Sequence, residues 1–147
     1  MIALLQRVRS AFLTRKATGD EIARIGKGIL VLLGVKKGDT EDKVILLSRK
    51  IPQLRIFEDQ NSKMNLSLFD VGGEILVVSQ FTLYADTRKG TRPSFSEAEE
   101  KEKARVLYER FIDYLRYQGV PTKSGIFGES LIVTLENDGP VTLILEE

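Results

Sequence analysis

The sequence predicts an α+β fold in a single domain spanning residues 1–147, and three features carry that prediction. A continuous apolar run at residues 29–33 reads as a strand buried on both faces, and residues 74–83 read as a second strongly buried strand. Two further segments repeat apolar residues at helical spacing. The elements follow one another as strands, helix, strands, helix, strands. At 147 residues and 42% apolar content the chain can bury one core without a disulfide or a structural metal. No low-complexity segment or flexible linker divides it.

Residues 2–14 read as the opening strand, with Ile2, Leu4, Val8 and Phe12 on one face and Leu5, Arg7, Arg9 and Leu13 on the other. Gly26 and Gly28 lead into the run at 29–33, and residues 36–39 mark a turn. Thr40 or Asp39 can cap a helix built on Val44, Leu47, Ile51 and Leu54, which Pro52 should kink or end. A polar stretch precedes an expected strand at 65–69, and Val71-Gly72-Gly73 turns into the run at 74–83. Ser96-Glu97-Ala98-Glu99 has the form of a capping box before a helix carrying Ala104, Leu107, Tyr108, Phe111 and Leu115. Glu97/Lys101 and Glu99/Lys103 should support its exposed face, and Gly119 should stop it. Residues 126–127, 130–136 and 141–145 read as closing strands. Gly28-Ile29-Leu30-Val31 and Glu74-Ile75-Leu76-Val77 hint at a short internal duplication.

Composition excludes several kinds of chemistry. The chain has no cysteine and no histidine, so a Ser-His-Asp triad, a thiol nucleophile and a Cys/His zinc site are impossible. Proton transfers must use carboxylates, lysine, tyrosine, backbone groups, water or the substrate itself. Twenty-two basic side chains nearly cancel 21 acidic ones, so any contact with nucleic acid must be local. Asp70, Glu74 and Asp86 match no metal-binding spacing, and no metal is assigned. Arg7 and Arg9 interrupt the N-terminal apolar residues and the longest apolar run cannot span a membrane, so a cytoplasmic location is expected.

Four places could carry function. Along residues 74–84, alternation puts Ser79, Phe81 and Leu83 on one face and Gln80, Thr82 and Tyr84 on the other. The segment is either a strand fading into a loop or a strand end whose free N–H groups hold a developing oxyanion. Asn137-Asp138-Gly139 predicts a hairpin turn, with Pro140 unusual in removing a donor where a strand should begin. Residues 86–93 form a basic loop whose Arg88, Lys89 and Arg92 are either solvated surface or a phosphate grip. Gln6 and Arg7 are either edge residues or buried groups hydrogen-bonding a loop.

Together, Gln6-Arg7-Val8, Ser79-Gln80-Phe81-Thr82-Leu83, Arg92-Pro93-Ser94-Phe95 and Asn137-Asp138-Gly139-Pro140-Val141-Thr142 resemble the D-aminoacyl-tRNA deacylase family, in order across nearly the whole chain. The resemblance implies a β-barrel-like pair of sheets flanked by two main helices. It implies a cofactor-free hydrolase acting on the ester of D-aminoacyl-tRNA, and a homodimer with active sites at the subunit interface. Ser79, Gln80, Phe81 and Thr82 are the implied catalytic set. Gly139 and Pro140, joined by a cis bond and donated by the other subunit, are implied to reject L-amino acids. A pocket that reads the α-carbon in this way should also accept glycine.

Arg7 and Asn137 are expected to support that turn, and Arg88, Lys89 and Arg92 to meet tRNA. Backbone N–H groups around Gln80 and Phe81 are the candidate oxyanion donors. The nucleophile is either Thr82 or a water assisted by the 2′-hydroxyl of the terminal adenosine. Two rivals from other classes are an RNA-binding module without catalysis and a dimeric scaffold in which both motifs are structural turns.

Overall fold

The computed structural model describes residues 1–147. Its core is a six-stranded, nearly closed, barrel-like sheet. Strand β1 (Ile2–Arg15) lies at the centre. One edge of β1 pairs along its length with β8 (Leu131–Glu146). The other edge is shared by β2 (Glu21–Ile25) and β3 (Gly28–Gly34), all antiparallel. Strand β3 continues the sheet in parallel to β6 (Glu74–Ser79), which pairs in parallel with β7 (Thr122–Ser124). A small second sheet joins β4 (Phe57–Glu58) to β5 (Met64–Leu66). The two main helices are α1 (Glu41–Gln53) and α3 (Lys101–Tyr117), with the short α2 (Leu68–Val71) between them.

The two apolar runs become β3 and β6, and both are buried on both faces. Ile29, Val31, Ile75 and Val77 pack under α1 and α3, while Leu30, Leu76 and Val78 enter a second core with Val8, Ala11 and Leu13. The two similar tetrapeptides lie side by side in register, Gly28 opposite Glu74 through Val31 opposite Val77. A Cβ at Gly28 would stand 1.9 Å from the Glu74 carbonyl oxygen, so only glycine allows this approach.

Several boundaries differ from expectation for identifiable reasons. Strand β1 does not keep one alternation, because its pairing with β8 skips Arg9 between Val8 and Ser10. This bulge switches sides: Ala3 and Leu5 face the helices, whereas Val8, Ala11 and Leu13 face the second core. The strand expected at 65–69 ends at Leu66, where Ser67 and Asp70 form a capping box for α2. Strand β6 ends at Ser79, not at residue 83. Gln80 N–H makes a last bond to Leu33 O at 2.8 Å, β3 stops at Gly34, and residues Phe81–Tyr84 coil into a 3₁₀ turn.

Helix α3 starts at Lys101 with Glu100 as its cap, so the box at 96–99 does not form. That segment is drawn into tertiary pairing instead: Lys37 N–H donates to Glu97 O at 3.0 Å and Glu99 N–H to Val35 O at 3.0 Å. Glu97 accordingly pairs with Lys36 rather than Lys101. Glu99 accepts from the N–H groups of Gly38 and Glu100 rather than from Lys103. The apolar stripe of α3 is as expected, with Tyr108, Phe111 and Leu115 buried. Residues 126–127 lie in a loop; the parallel partner of β6 is the preceding, more polar β7.

The expected hairpin at Asn137-Asp138-Gly139 is a bulge. Both halves of β8 run antiparallel to β1 in the same sense, Gln6 facing Thr142 and Val8 facing Asn137. The chain therefore does not reverse; residues 138–141 loop out opposite Arg7.

Candidate active site

The C-terminal ends of the parallel strands β3, β6 and β7 open onto one cleft of about 570 Å³. Such an edge is where free backbone groups and strand-end side chains collect in α/β sheets. Ser79, Gln80 and Phe81 form one wall; Lys101 at the start of α3, and Phe127 and Gly128 after β7, form others. Tyr108 OH lies 3.0 Å from both Val77 O and Gly125 O, holding the β6 edge to the loop that follows β7. Burial pushes its phenol above the ordinary tyrosine range.

Gln80 N–H is committed to Leu33 O, so it is not a free donor. The N–H groups of Phe81 and Thr82, at the start of the 3₁₀ turn, have no backbone or side-chain acceptor. Two successive unpaired donors beside a cleft suit an oxygen that gains negative charge. Thr82 Oγ1 accepts a hydrogen bond from the Gln80 amide. No carboxylate, lysine or tyrosine hydrogen-bonds it, and an amide cannot take its proton. Among the cleft's carboxylates, Glu129 is paired with Arg15 at 2.8 Å. Glu99 is held below the usual carboxylate range by the N–H groups of Glu100 and Gly38.

Arg7 is buried, with 2% of its side chain exposed. Its Nε donates to Asp138 O at 3.1 Å and faces Asp138 Oδ2 at 3.1 Å; Nη2 donates to Gly139 O at 3.4 Å, and Nη1 to Ile56 O at 2.6 Å. Glu58 adds a carboxylate 3.5 Å from Nη2. Asn137 Nδ2 donates to Arg7 O at 3.1 Å and Val141 O at 3.2 Å, closing the base of the bulge. The Gly139-Pro140 bond is cis. Gln6 stays at the strand surface and reaches Thr142 Oγ1 at 3.3 Å.

Within one chain the two motifs do not meet. Ser79 is level with Leu33 and, through β1, with Leu145. The bulge is level with Ile29 and Ile75, four residues back along the strands and three strands across. Neither Gly139 nor Pro140 lines the cleft.

The basic loop divides. Arg88 is spent on Asp86, with Nη2 and Nε at 2.7 and 2.9 Å, and this pairing holds the Asp86 carboxyl down at about 2. Lys89 and Arg92 are exposed and make no ion pair. The sequence reading missed the far wall of the cleft, because Ile126-Phe127 looked like a strand. The flanking Gly125 and Gly128 were the available signal. It also gave no role to Phe95, which packs edge-on against Phe81 with ring centroids 5.0 Å apart. No helix is long and apolar enough to cross a membrane.

The family model for D-Tyr-tRNA(Tyr) deacylase matches residues 4–146. The D-aminoacyl-tRNA deacylase of Thermodesulfovibrio yellowstonii is 55% identical over 145 residues, covering 99% of this chain and 98% of that one. The protein of the same name from Persephonella marina is 51% identical over 146 residues, with coverage of 99% and 97%. A solved structure of the c-Myc DNA Unwinding Element Binding Protein superposes with a TM-score of 0.93 at 43% identity, covering 100% of this chain and 99% of that one. That of a probable eukaryotic D-amino acid tRNA deacylase superposes at 0.81 with 21% identity, over 98% and 97% of the two chains, and shares the fold. Its strand-end motif, its bulge and its match over nearly every residue place this chain in the D-Tyr-tRNA(Tyr) deacylase family.

Proposed function

We propose that the whole chain acts as one deacylase domain that hydrolyses the ester of D-aminoacyl-tRNA, glycyl-tRNA included, and spares L-aminoacyl-tRNA. The observation that carries the chemistry is the pair of unpaired N–H donors at Phe81 and Thr82 beside a cleft with no base on Thr82. The donors polarise the ester carbonyl and hold the oxyanion. Ser79 and Gln80 shape the cleft wall beside them. With no side-chain base in place, the 2′-hydroxyl of the terminal adenosine orients the attacking water.

The absence of Gly139 and Pro140 from the cleft of their own chain favours a homodimer as the working unit. A two-fold axis makes the contact reciprocal, so each copy's Gly139-Pro140 bulge enters the other's cleft. Gly139 fits this reading for a second reason. A Cβ there would meet only Asn137 Oδ1, at 3.8 Å, and its φ is not left-handed, so the chain's own packing does not demand glycine. The demand comes from outside. Placed against the substrate's α-carbon, the bulge excludes an L side chain and admits a D side chain or none.

Incubation of purified protein with D-tyrosyl-, glycyl- and L-tyrosyl-tRNA tests the reading. The first two should be deacylated and the third spared; equal rates for both enantiomers would refute the steric filter. The absence of any hydrolysis would favour a binding module.

A further inference from the structure

We propose that Phe81 and Phe95 form a stacking subsite for the nucleobase preceding the terminal nucleotide in the single-stranded 3′ end of the RNA, with Lys89 and Arg92 neutralising phosphate beside it. The inference rests on the RNA-ester reading above. The rings come from segments 14 residues apart and meet at 5.0 Å and 71°, yet Phe81 is 55% and Phe95 37% exposed. Apolar rings of this size are ordinarily covered.

Phe95 is not carried there by burial. Asp86 N–H donates to Ser94 O at 2.7 Å and Ser94 N–H to Asp86 O at 2.9 Å, which closes the loop and returns Phe95 to Phe81. Ala98 N–H then donates to Phe95 O at 3.1 Å. The same closed loop presents Lys89 and Arg92 to solvent without carboxylate partners, while Arg88 is neutralised by Asp86. Aromatic surface beside unpaired cations binds single-stranded nucleic acid by stacking and charge, without reading sequence. Phe81 also lines the cleft. A nucleotide whose ester occupies the cleft therefore leaves its neighbour at the ring pair.

The test is binding of a short RNA ending in the tRNA 3′ sequence, with 2-aminopurine before the terminal adenosine. Wild-type protein should quench the fluorophore. Phe95→Leu should abolish quenching and weaken binding at least about fivefold, while Phe95→Tyr retains both. Lys89→Gln and Arg92→Gln should each lower the slope of log K against log salt by about 0.7. No quenching by wild type would overturn the proposal. So would a Phe95→Leu variant that binds normally, or one that raises KM equally for D-tyrosyl-adenosine and the D-tyrosylated RNA. Quenching without hydrolysis of any D-aminoacyl ester would refute the deacylase reading and leave the subsite standing.

Discussion

Arg7 is a guanidinium taken out of water and given carbonyl and carboxylate partners in return. Truncating it strands those partners, so Arg7→Ala should lower stability by about 3–5 kcal/mol, read as a fall in the urea midpoint. Selectivity is better probed with Arg7→Lys, which keeps the charge but cannot reach Ile56, Asp138 and Gly139 together. Gly139→Ala should behave oppositely. Its Cβ meets only Asn137 Oδ1, at an ordinary contact distance of 3.8 Å, so thermal stability should stay within about 0.5 kcal/mol of wild type. Deacylation should nevertheless fall steeply, and a fully active Gly139→Ala protein would contradict a bulge that enters a partner's cleft. Thr82→Ala separates the two nucleophiles: substantial remaining turnover supports water and the 2′-hydroxyl, and background turnover supports Thr82 itself. Much of this was legible in residue identities. The fate of the Gln80 N–H was not, because it depends on Leu33 of another strand.

Tyr108 ties three elements at one atom, from α3 to the end of β6 and the loop after β7. Tyr108→Phe should cost about 1–3 kcal/mol by removing the hydroxyl from the Gly125 carbonyl, whereas Val77 O keeps the Gly125 N–H. Its phenol, raised by burial, holds its proton above the unfolded value of about 10. The stability this represents is complete below about pH 10 and is lost as pH rises further, because the unfolded chain ionises first. Urea midpoints should therefore decline above that pH, less steeply in Tyr108→Phe. At the β3–β6 contact, Gly28→Ala drives a methyl into the Glu74 backbone and should destabilise by about 3 kcal/mol. Helices α1 and α3 and strands β3 and β6 were readable because burial imposes their periodicity. The start of α3 was not: a capping box at 96–99 is a local preference, and pairing with residues 35–37 overrides it. The strand at residues 126–127 failed likewise, since β-branched and aromatic content cannot say which segment reaches the sheet edge.

For the molecule as a whole, the proposed shared site makes a prediction about mixtures. Ser79→Tyr fills the cleft and Gly139→Trp blocks the bulge, so each homodimer should be nearly inactive. A mixed dimer regenerates one intact site of two. Co-refolding the variants should restore activity well above either alone, and no recovery would place both motifs' work within one chain. The α+β class, the two doubly buried strands, the apolar stripes of both main helices and the exclusion of triad, thiol and Cys/His zinc chemistry could all be read from the order of residues. These follow from composition and from periodicities that each segment carries alone. It took the folded chain to show that Asn137 to Val141 is a bulge in one strand rather than a hairpin, that Phe81 and Thr82 hold the free donors, and that neither Gly139 nor Pro140 lines the cleft of its own chain. Each of those depends on which strand lies alongside and in what register, and register is set by contacts between residues far apart in the chain.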